Sequence, residues 1–262
     1  MKKINFKIII LMMLTSIIFF GCSSKEVSRY SRLEQIELPT KNYNSNKKTD
    51  AKLSFATINP LLTINFNASK DLHNSLIKRL KNNIDKLSCK IPTEIKKILI
   101  SKGITVTDNY WNRNDMTFSQ KRDTSTLFYP VIQIYIDQNT VDVIKQVDEQ
   151  MPKKTKTTGK LQISAKVELV SLEPLSGEKI WLKSLPLKRK KYEIDISYDG
   201  YLKASSNIFA VDKKAVVIAK DMDNLIIEIY NKIIEGVEKY VDYEEFIFLN
   251  KDIQKIKNIK RY

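Results

Sequence analysis

The stretch KLQISAKVELVSL, residues 160–172, decides the fold. Leu161, Ile163, Ala165, Val167 and Leu169 fall on one side of an extended chain, with Gln162, Ser164, Lys166 and Glu168 on the other. Strict alternation of this kind marks a strand with one buried and one wet face, the pattern of an antiparallel sheet. The residues that follow, EPLSGE, supply Pro174 and Gly177 for a turn. KIWLKSLPL (179–187) then returns as the hairpin partner. YEIDISY (192–198) adds an edge strand, and KRKK (188–191) just before it discourages edge-to-edge association.

Upstream, PVIQIYID (130–137) alternates Ile132, Ile134 and Ile136, and TVDVIKQV (140–147) alternates Val141, Val143 and Val147. Together these predict a meander of strands. KLSFATINPLLTINF (52–66) alternates in two pieces around Pro60, which predicts a break or bulge there. Between these strand regions, Leu72, Leu76, Leu80, Ile84 and Leu87 recur three or four apart, one face of an amphipathic helix. Pro92 predicts a break followed by a second helix, closed by Gly103 and leading into the strand ITVTDNYW (104–111). Near the end, Ile226, Ile229, Ile233, Val237 and Tyr240 form a long helical stripe. Phe246, Leu249, Ile253 and Ile256 form a last one, a seam that either docks on the body or pairs between subunits. The fold class is α+β: an antiparallel meander packed by amphipathic helices.

The N-terminus has a different character. Lys2, Lys3 and Lys7 precede an apolar run from Ile8 to Phe20, and Gly21-Cys22-Ser23-Ser24 follows. About 20 apolar residues are needed to cross a bilayer, so the run reads as an export signal rather than a span. Gly-Cys at its end resembles the bacterial lipoprotein signal, in which the cysteine is acylated and becomes the first mature residue. Phe19 and Phe20 depart from the usual Leu and small residue of that box. The organisation is then a signal peptide over 1–21, a lipidated tether over 22–50, a body over 51–241 and a terminal helix over 242–262. Leu33, Ile36 and Leu38 are the tether residues able to dock on the body. With Cys22 acylated, Cys89 has no partner in the chain and reads as a small buried apolar residue. The formal charge of +15, on an exported chain, favours phospholipid headgroups, lipopolysaccharide or acidic glycans over nucleic acid.

Three pieces carry a family resemblance: Leu172 to Glu178 (LEPLSGE), KKILISKGITV (96–106) and DMTFSQK (115–121). In order and spacing they resemble the neuraminyllactose-binding hemagglutinin family, adhesin-type outer-membrane lipoproteins, over roughly residues 67–243. The resemblance implies a surface-exposed outer-membrane lipoprotein, an adhesin or a component of the surface or flagellar sheath. It also implies recognition of sialylated glycans through a basic tract. Here that tract falls in the loop QMPKKTKTTGK (150–160), where Lys153, Lys154 and Thr155 match its first half and Lys156 is a displaced basic residue. Thr157 and Thr158 stand where a closing lysine pair would be. The alternative reading is a periplasm-facing structural or accessory lipoprotein of an envelope assembly.

Catalytic chemistry finds little material. His73 is the single histidine, the two cysteines are far apart, and no glycine-rich phosphate loop occurs. DMDN at Asp221 begins like a calcium loop but lacks its glycine and terminal glutamate. The sequence predicts a protein that is not an enzyme and needs no cofactor or metal.

Overall fold

The computed structural model describes residues 36–43, 50–67, 70–145, 155–199, 203–204 and 213–259. Two long strands, β4 (Thr126–Lys145) and β5 (Thr155–Leu172), form an antiparallel spine. Ile132, Ile134 and Ile136 stand opposite Val167, Ala165 and Ile163, so two alternating patterns put their apolar sides on one face. The two upstream segments expected as separate strands are one. The apolar positions switch from even numbers (132, 134, 136) to odd ones (141, 143), and the register passes over Val141 between Thr140 and Asp142. One extra residue in a bulge makes that change of phase without ending the strand.

Each side of the spine is lined by a broken edge. β1 (Asp50–Ile58) and β2 (Leu61–Asn67) run beside β4, divided at Pro60 as the sequence predicts. On the other side β6 (Lys179–Leu185) and β7 (Lys190–Asp199) pair with opposite ends of β5, and the two-residue β8 (Lys203–Ala204) follows β7. β3 (Ile104–Tyr110) lies outside β1. The α+β class stands, but the sheet is mixed rather than a pure antiparallel meander. β1 is parallel to both β3 and β4, and β2 is parallel to β4. Parallel neighbours need a long crossover, and α1 (Lys70–Ser101) supplies one.

The α1 helix runs through Pro92 instead of breaking there. Proline removes one helical hydrogen bond, yet the apolar stripe continues in phase across it: Leu80, Ile84, Leu87, Ile91, Ile95 and Ile98 are all buried. The helix ends as expected, with Gly103 at φ 87° donating its N–H to Ile100 O at 2.9 Å. Cys89 departs from expectation and is exposed. It sits two residues from both Leu87 and Ile91, about 200° around the helix from each. 

α1 and α3 (Lys213–Tyr240) cover one face of the sheet and share its main core. Gly236 lets α3 approach closely: a Cβ there would meet Leu185 Cδ1 at 2.9 Å and Leu169 Cδ1 at 3.2 Å. Between the helices, buried Asn83 donates to Asp223 Oδ1 at 2.6 Å. The segment 36–43 packs against this layer, with Ile36 and Leu38 entering the core. Tyr230 donates its hydroxyl to Pro39 O at 2.6 Å, Lys90 donates to Leu38 O, and Lys41 pairs with Glu238 at 3.1 Å. The expected docking therefore occurs for Ile36 and Leu38, Leu33 lies outside the described residues, and the folded body reaches back into the segment read as tether. On the opposite face, Ala56, Ile58, Leu127 and Met116 form a smaller cluster.

Candidate functional site

The hairpin turn after β5 is built around one buried carboxylate. Glu173, 1% exposed, accepts from the backbone N–H groups of Leu175 (2.9 Å) and Ser176. Its own N–H donates to Glu178 O and its carbonyl accepts from Gly177 N, both at 2.8 Å. Gly177 completes the turn at φ +76°. Arg113 lies across it, with Nε donating to Pro174 O at 2.7 Å and Nη2 to Leu175 O.

Arg113 belongs to a short 3-10 turn, Arg113–Asp115, which is followed by α2 (Phe118–Asp123). Both carry reciprocal capping boxes, Asn112 with Asp115 and Thr117 with Gln120. These local bonds hold a segment that has few apolar residues to bury. At the far end of α2, the Lys257 ammonium donates to Arg122 O and Thr124 O at 2.7 Å and to Lys121 O at 3.4 Å. A cation there satisfies open carbonyls and opposes the negative end of the helix. Lys257 also lies 4.0 Å from Glu173 Oε1, with 8% of its side chain exposed. Burial pushes its pKa down, and the carboxylates of Glu173 and Asp123 partly oppose this.

Lys257 comes from α4 (Tyr243–Ile259), whose other end is fixed by aromatic rings. Phe246 packs edge-on to Phe55 at 4.9 Å between centroids and lies 5.6 Å from Trp181. Trp181 Nε1 donates to Glu245 at 3.2 Å. The terminal seam thus docks on the body through Phe246 and Ile253; the side chain of Ile256 lies outside the described residues. Two of the three resemblance pieces, LEPLSGE and DMTFSQK, meet at this corner. Sequence reasoning passed over Arg113 and Lys257, the residues that join them.

The expected glycan tract is placed only in part. Cys22, Lys153 and Lys154 lie outside the described residues, as does the side chain of His73. Lys156 lies within β5, where it stands opposite Ile144 of β4 and Ser197 of β7. It is therefore not in a loop, because the β-branched Thr155, Thr157 and Thr158 favour extended chain. In the KRKK run, Lys190 is engaged by Asp221 at 3.3 Å, and Tyr192 donates to the same carboxylate at 2.8 Å. Burial, then Asp221, raises the Tyr192 pKa. Asp221 and Asp223 are thus spent on structure inside a helix. Among the described residues no group of His, Cys, Asp and Glu is placed to hold a metal ion. Trp111 (77% exposed) and Phe118 (53%) present rings to solvent at the capped segment; the polar neighbours of Trp111 in NYWNRND and of Phe118 in TFSQ were the available signal.

Gly177→Ala is expected to destabilise the protein by about 1–2 kcal/mol, since an L side chain is strained at that φ. Its Cβ would also lie 2.9 Å from Arg113 Nη1. A denaturation midpoint equal to that of the parent would contradict this reading of the turn.

The fold and its corner define an α+β protein with a mixed sheet, one helical layer and a hairpin clamped by the terminal helix. No family model matches the chain, and no curated protein matches it. Among solved structures it is similar to one assigned as a neuraminyllactose-binding hemagglutinin homolog from Helicobacter pylori. That structure is 12% identical, with 84% of this chain and 100% of that one covered and a TM-score of 0.49. A minor lipoprotein from Acinetobacter baumannii is 13% identical, covering 72% and 92% of the two chains, with a TM-score of 0.18. The rare lipoprotein B from Shewanella oneidensis is 10% identical, covering 68% and 91%, with a TM-score of 0.16.

Proposed function

We propose that the chain is an outer-membrane lipoprotein, anchored through Cys22 and displayed at the cell surface in an adhesin-like or surface-coat role without catalytic activity. The observation that carries this is the leader: three lysines, an apolar run too short to span, and Gly21-Cys22 followed by serines. The docked segment supports it. Thirteen residues lie between Cys22 and Ile36, the first core residue among those described, a reach of at most about 50 Å fully extended. More than one acyl chain is needed for a stable anchor, and acylation of a lipoprotein cysteine supplies them. The basic tract with Lys153, Lys154 and Lys156 gives the surface an attraction for sialylated or other acidic glycans. Each exposed ion pair contributes only about 0–1 kcal/mol, so such binding falls steeply with salt and relies on many copies.

Cys22→Ala is expected to abolish metabolic labelling with a fatty acid and to release the protein from the membrane fraction; equal labelling of parent and variant refutes the anchor. A membrane-impermeant reagent on intact cells decides orientation. Labelling of the body before permeabilisation supports display. Labelling only afterwards selects the second reading, a periplasm-facing accessory protein.

A further inference from the structure

The segment 36–43 is held to the body differently from the helices and strands. It belongs to neither kind of element, and among the described residues its backbone makes no hydrogen bond to another backbone. Side chains hold it instead. Lys90 of α1 and Tyr230 of α3 donate to the carbonyls of Leu38 and Pro39, and Lys41 pairs with Glu238 of α3. Ile36 and Leu38 are buried, whereas Glu37, Pro39, Thr40, Lys41 and Asn42 are exposed. The far end of this contact carries an unfavourable group. Glu94, 2% exposed, pairs through Oε1 with Lys97 at 2.8 Å and has no partner at Oε2. It lies close to Tyr43 and Tyr230: burial raises the pKa of both hydroxyls most, and the Glu94 charge adds to the rise. A buried carboxylate oxygen without a donor opposes docking, and withdrawing Tyr43 opens it to water.

We infer that residues 36–43 form a releasable clasp: docked on α1 and α3 they shorten the tether, and undocked they lengthen it while the body stays folded. The consequence for reach rests on the anchor at Cys22; the release itself does not. Docked, the tether is the thirteen residues between Cys22 and Ile36, at most about 50 Å. Undocked, it is the thirty residues between Cys22 and Leu53, the first described core residue of β1, at most about 110 Å. The clasp stands between the anchor and β1 in the chain, so a pull on the tether reaches Ile36 and Leu38 before any strand. Its few side-chain contacts give way one after another along an extended segment. β1, by contrast, is paired on both sides, with β3 and β4. A segment with few buried apolar contacts and no backbone ladder opens ahead of the rest of a fold.

Glutamyl endopeptidase acting on the full chain in detergent tests release, with each cut identified by mass. Glu37 lies between two buried side chains, so cleavage after it needs the segment undocked, and its rate follows the population of the opened form. In the parent, cleavage at Glu37 is expected to be faster than at Glu228, inside α3. Tyr230→Phe/Glu238→Gln removes the bond to Pro39 and weakens the pair with Lys41. It is expected to raise the Glu37 rate by about tenfold, the weight of one such hydrogen bond, and to leave the Glu228 rate unchanged. Cleavage at Glu37 no faster than at Glu228, or a double variant in which both rates rise together, overturns the inference, because the segment then opens only with the body. If the double variant fails to fold, the comparison of the two sites in the parent decides alone. Reach is read from the acylated chain in phosphatidylcholine vesicles, whose neutral surface does not draw in a positive body. Energy transfer from a dye on exposed Cys89 to an acceptor lipid is expected to be lower in the double variant than in the parent. Equal transfer alongside faster Glu37 cleavage overturns the lengthening. A chain that does not join the vesicles counts against the anchor at Cys22, and the cleavage rates then decide the clasp.

Discussion

Lys257→Met is expected to cost the fold about 3 kcal/mol, the scale for removing one partner of a buried charge pair, measured as a lower denaturation midpoint with unchanged slope. The methionine fills similar space, so the loss is chemical rather than a cavity. It leaves the carbonyls of Lys121, Arg122 and Thr124 without their ammonium donor and removes the cation 4.0 Å from Glu173. Glu173 keeps the N–H groups of Leu175 and Ser176, which is why the expected value sits at the low end of that scale. Adding Glu173→Gln to Lys257→Met is expected to cost less than the two single changes added together, because they share one interaction. Strict additivity would show that the two residues act independently.

The same lysine predicts a pH dependence with a definite sign. Its folded pKa lies below the ordinary 10.5 because of burial. Between that lowered value and 10.5 the unfolded chain binds more protons at this site, so stability rises with pH. The penalty for holding a charged Lys257 is fully present below the folded pKa and is relieved as pH climbs toward 10.5. The advantage of the parent over Lys257→Met should therefore widen through the alkaline range, other groups cancelling in the comparison. An advantage that narrows there would mean that the charged form is favoured in the fold.

What the sequence made legible was whatever repeats. Alternation at 161–169 set the spine, and the stripes through Leu80 and Ile229 set the helical layer, because burial on one face imposes period on many residues at once. Pro92 misled because proline is a strong local signal, and here the burial of Ile91, Ile95 and Ile98 overrode it. Parallel pairing of β1, β2 and β3 was hidden because direction depends on where α1 returns the chain, which no strand records. Lys257 illustrates the limit best. In a chain with 45 Lys and Arg one more lysine carries no signal by type. Its position does: it lies four residues after buried Ile253, on the apolar stripe rather than beside it. A charge on a buried stripe was the clue to the corner. The glycan tract offers no such clue, since Lys156 belongs to a strand and its neighbours Lys153 and Lys154 are read only by resemblance.

Phe246→Ala tests whether α4 is part of the body or an appendage to it. The ring is fully buried and touches Phe55 from β1 and Trp181 from β6. Trp181 in turn lies 6.2 Å from Phe128 of β4, so one side chain joins three strands to the terminal helix. Truncating a buried Phe costs about 3–5 kcal/mol, and the corner adds a second consequence. Lys257 sits on the same helix eleven positions further on, where it holds α2 and faces Glu173. Loosening Phe246 should therefore loosen the LEPLSGE turn as well. Hydrogen exchange is expected to rise at the Leu175 and Ser176 amides, which Glu173 otherwise protects. An appendage would behave differently: exchange would rise along α4 alone, with the turn and the global midpoint unchanged. That outcome would separate the helix from the fold and would reopen its apolar seam as a surface for pairing between subunits.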